Sequence, residues 1–321
     1  MATSGSQNFT QTRDGIINDA FQLLGVYGIG RTVSAEDTTV ASNALNRMIK
    51  AWGAKSLHLW EKTEGVLFTT VNTSEYSLGN AATDAYVADV SDTVVTQLDG
   101  SHAAAATAIT VSDTTGMTAS DIIGIVTTDL TTHWTTISSV DTSTTLTIAS
   151  GLDTAASDDG LVYTFTSRLY KPLRVLDARL RQGFDSGSTS TQSEIVMTTV
   201  PYQSFFEQSD RTSGATPVQF SYTPGNTAGT MRLWPRPVDT RQRVHFTYER
   251  VIEDLDSASD DFDLPSEWLE PITWQLAVRL GPAFGRTQKA LQLLPIASEM
   301  LDNLLEWDHE ITELQMEPEY L

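Results

Sequence analysis

Residues 122–148 read IIGIVTTDLTTHWTTISSVDTSTTLTI, and this stretch decides the class of the middle of the chain. Ile122–Val126, Thr132–Ile137 and Thr144–Ile148 are short runs rich in β-branched residues. Such side chains fit a pleated, half-buried surface and lose freedom in a helix. Asp141-Thr-Ser143 supplies a turn between two of the runs. Immediately upstream, Ala108–Val111 adds another run and Asp113-Thr-Thr-Gly116 another turn. No apolar period of 3.6 residues crosses this region and no helix cap flanks it. Residues 81–166 are therefore expected to form an all-β domain, a sandwich or a small barrel. Their composition also sets them apart: eleven Asp, no Glu, and no Lys or Arg anywhere between Lys62 and Arg168.

The flanks read differently. Thr12 can cap a helix whose face is Ile16, Ile17, Ala20, Phe21 and Leu24, with Gly25 ending it. Ser34-Ala-Glu-Asp37 opens a longer helix with Ala41, Ala44, Leu45, Met48 and Trp52 on one stripe. Gly65–Val71 and Glu75–Leu78 read as strands. Beyond the middle, Leu173–Leu180 reads as a strand and Tyr202–Asp210 as a short helix. Val218–Tyr222, Thr230–Trp234 and Arg243–Tyr248 alternate as strands. Helices near Ser266–Gly281 and Gln288–His309 close the chain; Pro271 lacks an amide proton and can delay or bend the first. The expected fold class is α+β. A helical core with a small antiparallel sheet, residues 1–80 and 167–310, is interrupted by the β domain 81–166, and residues 311–321 form a tail.

Composition narrows the function classes. The chain has 321 residues and a net charge of −21, from 41 acidic and 20 basic residues. A basic footprint for nucleic acid is absent from such a balance. There is no Cys, which removes disulfides, thiolate catalysis and Cys-ligated metals. No apolar run approaches the ~20 residues of a membrane span. Met1–Thr12 has neither the basic start nor the apolar core of a signal peptide, so synthesis and assembly in the cytoplasm are expected. His58, His102, His133, His245 and His309 lie far apart, without metal-ligand spacing. The glycines of Gly25–Gly30 follow a helix and precede no βαβ unit. Carboxylate pairs such as Glu267/Glu270 and Asp260/Asp261 are expected on solvated surfaces of so acidic a chain. No catalytic residue, metal or cofactor is expected, and the chain does not read as an enzyme.

Six segments carry a resemblance. They are Arg13–Val26, Ala44–Trp52 (with its Leu-Asn-x-Met and Trp positions), Ser74–Gly79, Arg168–Leu180, the Leu-Trp-Pro-x-Pro hairpin of Met231–Pro237, and Phe262–Gly285. In the last, a Leu-Pro-x-Glu-Trp turn leads into a Leu-Ala-x-Arg-Leu helix ending in Gly. In this order they resemble the head-to-tail adaptor family of short-tailed bacteriophages. Each motif is short and mostly structural; their joint order makes the likeness specific. It covers roughly residues 13–80 and 168–290 and leaves 81–166 outside.

The resemblance implies a structural virion protein at the head–tail junction, with no enzyme activity. It implies a homo-oligomeric ring, twelve copies in the family, under the portal protein ring, extending the channel through which DNA passes without specific binding. Tail nozzle or tail fibre proteins are further implied partners. C-terminal segments of the family reach toward the portal, which makes Trp307, Ile311, Leu314, Met316, Tyr320 and Leu321 the expected docking residues. Trp268 and Trp274 are expected in the core or at a contact between subunits. Asp254, Asp256, Asp260 and Asp261 are candidates for an acidic channel lining. The alternative is a receptor- or glycan-binding tail protein using residues 81–166, and a cell-wall hydrolase is a more distant one.

Overall fold

Thr12 and Ser34 start the two N-terminal helices. The Thr12 hydroxyl accepts the Gly15 amide at 3.4 Å and opens α1, Arg13–Leu24. Gly25 ends it at φ 68°, a left-handed conformation that a β-carbon would strain. The Ser34 hydroxyl accepts the Asp37 amide at 3.2 Å at the start of α2, Ala35–Gly53. The computed structural model describes residues 9–53, 62–182, 193–208, 210–262 and 265–307. The chain divides into two compact units, Met1–Trp60 with Ile252–Leu321, and the continuous Glu61–Val251.

The first unit is helical. Besides α1 and α2 it holds two helices that follow a further one, α3 (Tyr202–Phe206), of the second unit: α4, Leu269–Leu280, and α5, Thr287–Trp307. Helical spacing gives each a core face. Ile16, Ile17 and Phe21 of α1 meet Leu45, Met48 and Ile49 of α2 and Ile272, Leu276 and Leu280 of α4. Ala290 and Leu293 of α5 join the same cluster.

The second unit is almost entirely β. Its strands are β1 Lys62–Phe68, β2 Glu75–Leu78, β3 Val87–Asp89, β4 Val94–Gln97, β5 Ala108–Thr110, β6 Ile122–Val126 and β7 Thr132–Val140. They continue with β8 Thr145–Ile148, β9 Leu161–Phe165, β10 Arg174–Gln182, β11 Ser193–Thr199, β12 Gln219–Thr223, β13 Gly229–Trp234 and β14 Arg243–Glu249. Eight of them form one sheet in the order β2-β13-β12-β11-β10-β14-β1-β3, antiparallel except for the β11–β12 pair. This sheet curls round its own apolar face, so Tyr76 and Leu78 at one edge share a core with Leu67 and Val87 at the other. The remaining six run β4-β9-β6-β7-β8-β5, all antiparallel, around Leu98, Val111, Ile123, Ile125, Leu146 and Val162.

The two sheets are joined by a second apolar layer. β9 is buried along its whole length: Val162 faces the six-stranded core, while Leu161, Tyr163 and Phe165 face away from it. There they meet Val66, Phe68 and Ala88 of the eight-stranded sheet. Phe68 lies 4.7 Å from the Tyr163 ring, 5.3 Å from Trp134 and 5.7 Å from Phe165, centroid to centroid. Tyr86 stacks on Trp134 at 3.9 Å, with the Arg168 guanidinium 4.5 Å from the Tyr86 ring centre. A hydrogen bond from the Thr240 hydroxyl to the Leu130 carbonyl, 2.8 Å, adds a polar tie.

This corrects the expected fold class. The protein is mostly β, with two large curled sheets, and is not a helical core carrying a small antiparallel sheet. The reason is physical: caps and 3.6-residue periods announce helices locally, whereas sheet membership is non-local. β1 pairs with β14 across some 180 residues of sequence, Phe68 opposite Arg243. Nothing in either strand alone states that the sheet has eight members.

Candidate functional site

The expected channel acids lie on a strap, residues 252–261, laid along α1 and α2. Backbone carbonyls of Asp260 and Ala258 accept the Arg13 and Asp14 amides at 3.0 and 3.4 Å. These are first-turn donors of α1 that have no partner inside the helix. The Arg13 guanidinium donates to the Asp256 carbonyl at 2.8 Å. Asn46 clamps Leu255, giving to its carbonyl and accepting from its amide, each at 3.3 Å. Lys50 donates to the Ile252 carbonyl at 2.7 Å and pairs with the Asp254 carboxylate at 2.9 Å. The Asp260 carboxylate accepts the Ser257 amide at 2.6 Å. Asp254, Asp256 and Asp261 are exposed, and Asp260 is half-buried. The strap therefore holds helices through its backbone while presenting acids to solvent.

Trp268 is 1% exposed and packs 5.9 Å from Trp52. Trp274, half-buried, lines a groove of about 620 Å³ between α1 and α4. Phe9, Leu23, Ile29 and Leu269 give the groove its apolar wall, and Asp19 and Glu270 are the charged residues that line it. Ile29, on the loop after α1, is 92% exposed. Trp307 ends α5; its side chain, like Ile311, Leu314, Met316, Tyr320 and Leu321, lies outside the described residues.

Aspartates of the six-stranded sheet fasten its turns. Asp113 accepts the Thr115 amide and hydroxyl at 2.9 and 2.8 Å. Asp129 accepts the hydroxyls of Thr127 and Thr131 at 2.5 and 2.8 Å, and Asp141 those of Ser139 and Thr147, both at 2.8 Å. These bonds hold all three carboxyls below the usual carboxylate range. The short Asp side chain reaches its own turn, which accounts for Asp without Glu in this segment. The aromatic side chains Trp134, Tyr163 and Phe165 are all committed to the joint with the eight-stranded sheet.

One constellation gave no sequence signal. His133 Nδ1 lies 2.8 Å from an Asp153 carboxylate oxygen, and its Nε2 lies 3.4 Å from the Ser150 hydroxyl. The order of groups is that of a Ser-His-Asp relay. The proton path is different: the Ser150 hydroxyl donates to Thr135 at 2.8 Å, and His133 Nε2 also faces the Ser150 carbonyl at 3.3 Å. Asp153 is 85% exposed, so it stands in water rather than in a desolvated orienting position. This arrangement ties residues 150–153 to β7. His245, within β14, is half-buried; burial first, then the charges of Arg181 and Arg243, pull its pKa down to about 3 and keep it neutral. Among the described residues no group of His, Asp or Glu is arranged to hold a metal ion.

No family model matches the chain, and no curated protein matches it. Among solved structures it is similar to VP17, a capsid protein of bacteriophage P23-77, with 12% identity, 62% of this chain and 78% of that chain covered, and a TM-score of 0.12. A likeness at that score carries no argument about fold or function.

Proposed function

We propose that the chain is a structural subunit of a bacteriophage particle, a head-to-tail adaptor that closes into a ring beneath the portal. The observation that carries this reading is how the six resembling segments pack. Arg13–Val26, Ala44–Trp52 and Phe262–Gly285 supply the core of the helical unit, through Phe21, Leu45, Trp268 and Ile272 among others. Ser74–Gly79, Arg168–Leu180 and Met231–Pro237 supply the core of the eight-stranded sheet, through Tyr76, Leu180 and Leu233. Segments far apart in sequence thus fall into two packing groups, as parts of one inherited scaffold do.

The mechanism is geometric and electrostatic. Identical subunits with heterologous contacts close on themselves into a ring. Twelve copies at −21 each bring roughly −250 formal charges to the assembly before screening. Acidic groups facing the channel repel DNA phosphates, so DNA slides without sticking. The strap acids Asp254, Asp256, Asp260 and Asp261 are candidates for that lining. The C-terminal residues Trp307, Ile311, Leu314, Met316, Tyr320 and Leu321 are assigned to the portal, and the six-stranded sheet to tail or capsid partners.

Native mass spectrometry of the protein alone and with its portal ring tests the reading. A monomer alone that adds about twelve copies per portal supports it. A small stable oligomer that ignores the portal removes it and favours a tail-protein role. Tight, salt-sensitive DNA binding by the assembled ring would contradict the lining.

A further inference from the structure

α3 turns aromatic side chains out of the second unit. Phe205 is buried, but Tyr202 and Phe206, four residues apart on one face, are left 50% and 58% exposed. Their ring centroids lie 6.2 Å apart. Each ring carries an arginine. The Arg211 guanidinium lies 4.6 Å from the centre of the Phe206 ring, and that of Arg232 lies 4.6 Å from the Tyr202 ring. The two arginines have different surroundings. Arg232 is largely buried and donates to the Glu75 carboxylate and the Thr223 hydroxyl, each at 3.1 Å. It props Tyr202. Arg211 is exposed, on a loop fixed from both sides: the Asp210 carboxylate accepts the Thr212 and Ser213 amides at 2.9 and 3.1 Å, and the Asp210 carbonyl accepts the Trp234 indole at 2.8 Å. Stacking on a ring leaves the N–H edge of a guanidinium able to donate. The row sits in residues 168–250, which hold eleven basic and seven acidic residues in a chain of net charge −21.

We propose that the row Arg211–Phe206–Tyr202–Arg232 is a docking site for a short acidic segment of another protein. An aromatic or long aliphatic side chain of that segment packs on the Tyr202 and Phe206 rings, and a carboxylate beside it takes the two-pronged bond from Arg211. Exposed aromatic rings held rigid by arginines are the side chains that dominate protein contacts. The sign of the partner follows from the local excess of basic residues. Nucleic acid would meet the repulsion of the whole −21 chain along its phosphates, whereas a short segment meets the row alone, within a screening length of about 8–10 Å. The site belongs to the second unit and does not rest on the adaptor reading.

The test titrates the full chain against a labelled random copolymer of glutamate and tyrosine, followed by fluorescence anisotropy, with polyglutamate and oligothymidine as the comparison probes. The glutamate–tyrosine copolymer is expected to bind, and polyglutamate to bind about tenfold more weakly. Phe206→Ala and Arg211→Ala should each weaken copolymer binding about tenfold, and Arg211→Lys should recover only part of the loss, because an ammonium keeps the charge without the fork. Tyr170→Ala removes another exposed aromatic side chain and should leave binding unchanged. Should Phe206→Ala also lower the unfolding temperature, the exposed Arg211 decides, since its truncation leaves no cavity. No copolymer binding, equal binding of polyglutamate, or indifference to Arg211→Ala overturns the proposal. Oligothymidine binding tighter than the copolymer and weakened by Arg211→Ala overturns it in favour of nucleic acid. Self-association of the chain that is lost in Phe206→Ala overturns it in favour of a second copy.

Discussion

Gly124 lies under the Trp134 ring: a β-carbon at this position would lie 2.5 Å from the ring. The missing side chain is what lets Trp134 cover β6 and reach Phe68 and Tyr86. Gly124→Ala should destabilise the protein by about 1–3 kcal/mol through overpacking. Phe68→Ala, at a position 3% exposed, should cost ~3–5 kcal/mol by leaving a cavity. Urea unfolding of both variants checks the pair, and a smaller loss for Phe68→Ala than for Gly124→Ala would show that the joint is not the well-packed layer described.

His245 gives a pH dependence at the same scale. Its folded pKa of about 3 lies below the ordinary ~6.5 of an unfolded chain. Between those values the unfolded chain takes up a proton that the folded chain refuses. Stability is therefore complete above ~6.5 and falls as pH drops toward 3, by up to ~1.4 kcal/mol per unit. Between pH 7 and pH 5 the wild type should lose up to ~2 kcal/mol more than His245→Gln. That window lies above the range of Asp113, Asp129 and Asp141, whose carboxyls are held low. Equal losses for the two proteins would refute the assignment.

Among the elements, β9 and β6 matter most, because both are used on two faces. Ile123 and Ile125 of β6 face the six-stranded core, and Val126 faces the eight-stranded sheet. The continuous apolar runs IIGIV and LVYTF are the trace of that double burial. Runs of this kind are legible as strands but not as the number of partners they have. Excision of residues 93–166 would uncover Val66, Phe68 and Ala88 together. The shortened protein should bind a hydrophobic dye and unfold at lower temperature, and Val66→Thr with Phe68→Thr should reduce the dye binding. A shortened protein as stable as the whole, with no dye binding, would mean the joint contributes little. The strap shows the same limit. Its acids drew attention, but its structural work is done by the carbonyls of Ala258 and Asp260, and backbone groups leave no mark in sequence. Asn46 and Lys50 were the available hints: polar residues on the helix that carries Leu45, Met48 and Ile49 into the core.

At the scale of the whole molecule, what could be read was local. Thr12, Ser34 and Gly25 act on the residues beside them, and the alternation of Arg243–Tyr248 states its own two faces. The stretch without Lys or Arg between Lys62 and Arg168 holds the six strands of the smaller sheet, but also β2, β3 and nearly all of β1, which belong to the larger one. The size of the eight-stranded sheet, its curl, and the groove were not legible, because each arises where distant segments meet. Charge is local in the same way: exposed acids of the six-stranded sheet fasten the turns beside them.

The continuous unit Glu61–Val251 interrupts the helical unit, and this arrangement sets an order of events during synthesis. Ile16, Phe21, Leu45 and Met48 leave the ribosome early, yet their partners Trp268, Ile272 and Leu276 are about two hundred residues behind. At ~5–20 residues per second, α1 and α2 wait for roughly 10–40 s with their apolar faces uncovered. The β unit can complete itself in that interval from its own sequence. The helical unit is then the last to close, when the strap and α4 arrive. A nascent chain stalled shortly after residue 251 should therefore be the form most in need of a chaperone.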